Sequence, residues 1–171
     1  MPRTPCFSIQ KVAVAAAKMN LEFRETRLAD IRSLSNVPAA ADENSSSRAL
    51  LLRLGIRLPP TDADLLSERL KLWECADDSV VVGHCAGDCA TGEILSLSVR
   101  SGYEGRGIGR RLLCLIVAWL RASGAQRIWL VAPSDPTLRA FGFYRALGWR
   151  PSGEQLGEGN EVLELSPNDA T

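Results

Sequence analysis

The stretch that decides the fold is residues 93–113, Glu93-Ile-Leu-Ser-Leu-Ser-Val-Arg-Ser-Gly-Tyr-Glu-Gly-Arg-Gly-Ile-Gly-Arg-Arg-Leu-Leu113. It opens as a β-strand over Glu93–Val99 and closes as a helix. From Gly107 to Ser123 apolar residues recur at 108, 112, 115, 116, 119 and 120, the spacing of one helical face, and Gly124 can end it. Between the two, Gly105, Gly107 and Gly109 let the backbone turn tightly and approach a ligand closely. Free amides at the helix start, together with the positive end of its dipole, form an anion site. Arg106, Arg110 and Arg111 add charge beside it, and a pyrophosphate is its natural guest. The plain alternative is a tight strand–helix junction whose glycines serve geometry only. Two familiar phosphate motifs fail: GxGxxG requires glycine where Arg110 stands, and no Gly-Lys-Ser/Thr ending exists.

Outward from this segment, residues 20–26 alternate apolar and polar and read as a strand, followed by a short helix over 28–34. Residues 35–47 read as a loop, 48–54 as a helical turn, and Thr61 as the N-cap of a helix to Arg69. Two strands, 70–75 and 79–85, meet across Asp77-Asp78. Beyond the long helix come a buried strand over 127–131, a helix from an Asp135 cap with Pro136 first and running to Leu147, and a closing strand pair from Trp149 and over 161–165. This order predicts one α/β (α+β) domain over 19–171, with residues 1–18 as a flexible arm.

The chain has 171 residues, 20 basic and 20 acidic, with 46% apolar residues. Such a chain buries about 70% of its unfolded surface and needs no metal or disulfide to hold it. Zero net charge argues against nucleic acid or an acidic membrane as the main partner. No apolar run reaches the roughly 18 residues of a membrane helix. Five cysteines without framework spacing predict reduced thiols and a cytoplasmic protein. His84, Cys85, Cys89 and Cys75 invite a zinc reading, but no CxxC pair supports it, so no metal is expected. Seventeen of the basic residues are Arg, and four of them (Arg100, Arg106, Arg110, Arg111) cluster at the glycine turn against Glu104 alone.

Val99 to Leu113, followed by Phe143-Tyr144-Arg145-Ala146-Leu147-Gly148-Trp149, resembles the GNAT superfamily of N-acetyltransferases, which use acetyl-coenzyme A. The likeness is close over 93–150 and extends weakly to 21–31, including Asp30. It implies a central, mixed but mostly antiparallel twisted sheet of six to seven strands flanked by helices. The family's acyl-coenzyme A motif places Gln or Arg, then two glycines, where this chain has Glu104, Gly107 and Gly109; Glu104 is a departure. The resemblance implies that Leu97, Ser98 and Val99 splay from the neighbouring strand to pair with pantetheine. Amides over Gly105, Arg106, Gly107, Ile108, Gly109 and Arg110 would hold the pyrophosphate. Thr137 stands where many members carry a cofactor-contacting Asn. Tyr144 would protonate the leaving thiolate, a role that suits a tyrosine of ordinary pKa, about 10. The plain reading of Tyr144 is a core-facing aromatic spaced with Phe141 and Leu147.

Three sources of the base stay open. Glu93, eleven residues before Glu104, matches the place of a glutamate base in some members. On simple alternation it shares a face with Leu95, Leu97 and Val99 and lies partly buried, which raises a carboxyl pKa. His84 is the chain's one imidazole, and a water chain to solvent is the third. The implied activity is direct transfer of acetyl from acetyl-CoA to a primary amine in a ternary complex. The rival reading is a non-catalytic acyl-CoA-binding module. Residues 28–60 and the C-terminal hairpin are expected to build the acceptor site, and homodimerisation through a sheet edge is compatible with such folds.

Overall fold

A computed structural model describes residues 19–26, 68–156 and 158–166. Seven strands form one sheet: β1 (Leu21–Thr26), β2 (Leu70–Asp77), β3 (Val80–Asp88), β4 (Glu93–Val99), β5 (Trp129–Pro133), β6 (Arg150–Pro151) and β7 (Asn160–Glu164). Two helices, α1 (Ile108–Ala122) and α2 (Arg139–Ala146), complete the described elements. The strand order is β1-β2-β3-β4-β5-β7-β6, and every pair is antiparallel except β4–β5. The parallel step requires a crossover connection, which α1 supplies. Readings over 1–18, 28–34, 35–47 and 48–54 lie outside the described residues, as does the Thr61 helix except for Glu68 and Arg69, which form a turn into β2.

The expected strands at 70–75 and 79–85 extend to eight and nine residues, because Asp78 closes a tight turn at φ 54°, a conformation that Asp tolerates better than most side chains. α1 packs the sheet through Ile108, Leu112, Leu113, Ile116, Val117 and Leu120, all buried. Two glycines of β3 let it come close: a Cβ on Gly83 would stand 3.0 Å from Ile108 Cγ2, and one on Gly87 2.9 Å from Ile116 Cγ1. Cys75, Cys85, Ile94, Leu130, Trp149 and Leu163 fill the rest of this core.

Two later elements start at other residues than the sequence reading gave. The fifth strand runs over 129–133 rather than 127–131, since it pairs with β7 as far as Pro133. The second helix starts at Arg139, four residues after Asp135. Asp135 does not cap it: its carboxylate accepts the amide (2.8 Å) and the hydroxyl (2.7 Å) of Thr137 in a local turn, the competition that short polar side chains offer to helix backbone. Leu138 is then extended, and the helix begins after it.

Asp88, buried at the end of β3, accepts Arg69 Nε at 2.8 and 2.9 Å and the Ala90 amide at 2.9 Å. Burial alone would raise its carboxyl pKa; the hydrogen bond from Arg69 and the amides of Ala90 and Thr91 outweigh it and hold it below the ordinary value. A depressed folded pKa adds stability that is complete above the unfolded value, about 3.9, and is lost as pH falls through the lower folded one. Thermal scans across pH 2–6 (about two units either side of that value) are expected to show an acid loss of Tm that is shallower in Asp88→Asn.

Candidate active site

β4 is paired with β3 over its full length, from Glu93 opposite Asp88 to Val99 opposite Gly83. Its pairing with β5 ends after two positions, Glu93–Trp129 and Ile94–Leu130. Beyond Ile94 the two strands part into a V whose vertex is the Gly92–Ile94 end. Leu97, Ser98 and Val99 lie on its open arm, half-buried, with backbone groups on the β5 side not engaged in the sheet ladder.

The glycine loop sits at the mouth of this V. Gly105 and Gly107 adopt left-handed backbone conformations, φ 73° and 80°, and a Cβ at either would point into open space. Gly107 is the N-cap of α1 and offers no side chain to the helix start. The first helical bond is Arg111 N–H to Gly107 C=O, so the amides of Ile108, Gly109 and Arg110 precede it. No acidic residue stands in the first turn. Amide donors over a left-handed turn, at the positive end of a 15-residue helix, fit a pyrophosphate.

Three side chains brace this loop. Tyr103 donates its hydroxyl to Asp77 Oδ2 at 3.0 Å. Arg106 donates to the Gly102 carbonyl at 3.0 Å and lies over the Tyr103 ring, so its guanidinium is a strut as well as a local charge. Glu104 folds back into the loop and accepts the Gly102 amide at 2.6 Å. Its own amide, then that of Gly102, hold its carboxyl below the ordinary value, with Arg139 and Arg106 adding to the effect. The departure from the family motif is thereby explained as an internal brace. Glu104→Gln keeps that acceptor and removes a charge beside the anion site. We expect it to tighten acetyl-CoA binding about threefold at low ionic strength, with the gain fading at high salt, as calorimetry would show.

α2 brings Phe143 to the start of α1, with Tyr144 beside it. Phe143 packs where a Cβ on Gly109 would meet its ring at 3.4 Å, with Val99 at 3.6 Å from the same point. Tyr144, next in sequence and half-buried, stands edge-on to Phe143 (5.1 Å) and Trp149 (6.1 Å). Arg145 anchors the helix to β7 by donating to both Glu161 oxygens at 2.7 and 2.8 Å. Thr137 is exposed, its hydroxyl bonded to Asp135.

Glu93 stands at the V's vertex, half-buried, but not on the face that alternation assigns. The β3–β4 register skips Leu95: Ala86 pairs with Ser96, and Gly87 with Ile94. This bulge turns Glu93 onto the face of Ser96 and Ser98, away from α1, whereas Ile94, Leu97 and Val99 face α1. His84 lies directly opposite Ser98 on that same outer face, with Glu74 on its other side. Burial lowers the His84 pKa, and Glu74 opposes that in part. Cys85 points the other way, into the core, where burial raises its thiol pKa. Among the described residues no group of His, Cys, Asp or Glu is placed to hold a metal ion. No described helix is long and apolar enough to cross a membrane.

The sequence model of the acetyltransferase (GNAT) family matches residues 31–149. No curated protein matches the sequence. Among solved structures, the chain is similar to the PaiA N-acetyltransferase of Thermoplasma acidophilum in complex with coenzyme A (17% identity, TM-score 0.61, 86% of this chain and 99% of that one). It is also similar to the ribosomal-protein-S18-alanine N-acetyltransferase of Escherichia coli (14% identity, TM-score 0.59, 87% and 98%). A third is Arabidopsis thaliana NAA60 in complex with acetyl-CoA (15% identity, TM-score 0.56, 87% and 99%). At these identities the likeness is one of fold.

Proposed function

Because the chain belongs to the acetyltransferase (GNAT) family, we propose that this acyltransferase moves an acetyl group from acetyl-CoA directly onto a primary amine in a ternary complex. The observation that carries the reading is the left-handed Gly105–Gly107 turn at the N-terminus of α1, at the mouth of the parted β4 and β5. Amides from Gly105 to Arg110 hold the pyrophosphate, with Arg110 as the nearest added charge. The backbone of Leu97–Val99, beyond the stretch paired with β5, pairs with the pantetheine arm, which runs toward the vertex of the V. Solved structures of similar fold contain coenzyme A or acetyl-CoA, which supports this assignment.

The chemistry needs a neutral amine, a polarised carbonyl and a proton for the departing thiolate. A β4 amide polarises the carbonyl, Tyr144 gives its hydroxyl proton to the thiolate, and Glu93 takes the proton released by the amine. No acyl-enzyme is invoked. Cys75 and Cys85 are buried with raised thiol pKa values, and Cys114 lies exposed on the outer side of α1. The test is Glu93→Gln: kcat should fall about a hundredfold at neutral pH, the ordinary worth of a general base, with acetyl-CoA affinity retained. Full activity would remove Glu93 from the role.

A further inference from the structure

The glycine loop must be ordered before its amides can converge on an anion. Gly102, Gly105 and Gly107 take left-handed φ angles of 89°, 73° and 80°, and glycines lose more freedom on ordering than other residues. Several of the loop's bonds are internal. Glu104 and Arg106 both fold back on Gly102, and the Tyr103 amide donates to the Arg100 carbonyl at 3.0 Å. Tyr103 reaches outside the loop. Its ring packs against the core, and its hydroxyl donates to Asp77 Oδ2 at 3.0 Å. That hydrogen bond, ahead of burial, raises the hydroxyl pKa above its ordinary value, so Tyr103 stays a donor.

Asp77 is the last residue of β2, opposite Leu21 on β1 and Val80 on β3. Its second oxygen, Oδ1, accepts the Asn20 amide at 3.0 Å, and the Asp78 amide donates to the Asn20 carbonyl at 3.3 Å. Arg106 meets the same stretch from the loop side. It donates to Met19 Sδ at 2.6 Å and lies over the Tyr103 ring, 5.5 Å from its centre. One carboxylate thus joins partners 57 residues before it and 26 residues after it in the chain.

We propose that Asp77 is a positioning residue for the acetyl-CoA pyrophosphate: by holding the Tyr103 hydroxyl and the Asn20 amide together at the end of β2, it sets the glycine loop before the cofactor binds. The proposal rests on the acetyl-CoA reading above. Asp77 acts through Tyr103 and not on the cofactor. Preorganisation improves affinity by removing the ordering cost from the binding step. The charge of Asp77 has the opposite effect, because a carboxylate near the anion site repels a pyrophosphate. Positioning and charge therefore predict changes of opposite sign when Asp77 is removed.

The test is acetyl-CoA binding by calorimetry on the whole chain, with a thermal scan of each variant. Tyr103→Phe keeps the ring, its packing and the Arg106 contact, and loses only the bond to Asp77. Its Kd should rise about tenfold, the worth of a hydrogen bond to a charged acceptor, with Tm within about 2 °C of the parent. Asp77→Ala should weaken binding at least as much, although it deletes a negative charge. Asp77→Asn deletes the same charge but keeps an acceptor for the Asn20 amide and a donor for the Tyr103 oxygen, so its Kd should stay within about twofold of the parent. The double variant should match Asp77→Ala within about twofold, since both changes break one link. An unchanged or lowered Kd in Tyr103→Phe, or additive losses in the double variant, would overturn the role and leave the cofactor reading standing. A parent chain that binds no acetyl-CoA would overturn the cofactor reading, and the role with it.

Discussion

Tyr144→Phe should lower kcat at least about tenfold, since a positioned general acid contributes roughly 10²–10⁴ and other donors replace part of it. The acetyl-CoA Kd should change by less than about twofold, because the loss of one hydroxyl from a ring packed edge-on leaves the apolar contacts in place. Those contacts, to Phe143 and Trp149, belong to the ring and not to the oxygen. The two readings of Tyr144, proton donor and core aromatic, part here: a packing role predicts a small stability change and no selective loss of turnover. Steady-state kinetics beside a thermal scan of the same variant decide between them. Unchanged kcat would remove Tyr144 from the acid role.

Gly92→Ala should be the most damaging single-methyl change in the described part of the chain. Gly92 is left-handed at φ 70°, and a Cβ there would stand 1.8 Å from the Arg127 carbonyl oxygen. The dihedral alone costs about 1–2 kcal/mol for an L-residue. The clash is with backbone, so relief requires β5 to move. That movement breaks the Trp129 N–H bond to the Gly92 carbonyl (3.1 Å) and disturbs the two residue pairs that close the V. We expect a loss of about 3 kcal/mol or more, a fall in Tm on the order of 10 °C for a chain of this size. Acetyl-CoA binding should weaken with it, because the opening angle of the strands is set at this vertex. Differential scanning fluorimetry with and without acetyl-CoA reads both effects; a Tm within about 2 °C of the parent contradicts the account.

The parts of the molecule legible in the sequence are those specified locally. β4 and α1 carry their own periodicities, and the turn between them is announced by its glycines, so the strand, loop and helix follow from residues 93–123 alone. The side of β4 on which Glu93 lies is not local. It depends on Leu95 bulging, which is fixed by where Ala86 and Gly87 sit on the neighbouring strand. Simple alternation therefore put Glu93 with the core residues, and the register puts it with the serines. The row of Arg24, Glu74, His84 and Ser98 across β1 to β4 escaped for the same reason: its members are 74 residues apart from end to end, and nothing in any one strand names its partner in the next. Asp135 reads as a helix cap because Asp and a following Pro mark many helix starts; here the carboxylate closes a turn first and the helix waits for Arg139. The braces of the glycine loop, Tyr103 on Asp77 and Glu104 on Gly102, combine both cases. The second spans two residues and could be anticipated from the acid in the loop, while the first joins the loop to the end of β2.

The most direct test of the central claim is release of free thiol from acetyl-CoA by the whole chain, measured with a panel of primary amines: peptides with free N-termini, polyamines and amino sugars. Acetyl transfer predicts saturable, amine-dependent release on at least one of them, with an equal amount of acetylated amine by mass spectrometry, abolished by Glu93→Gln with Tyr144→Phe. Tight acetyl-CoA binding without thiol release on any amine would contradict it and leave a binding module.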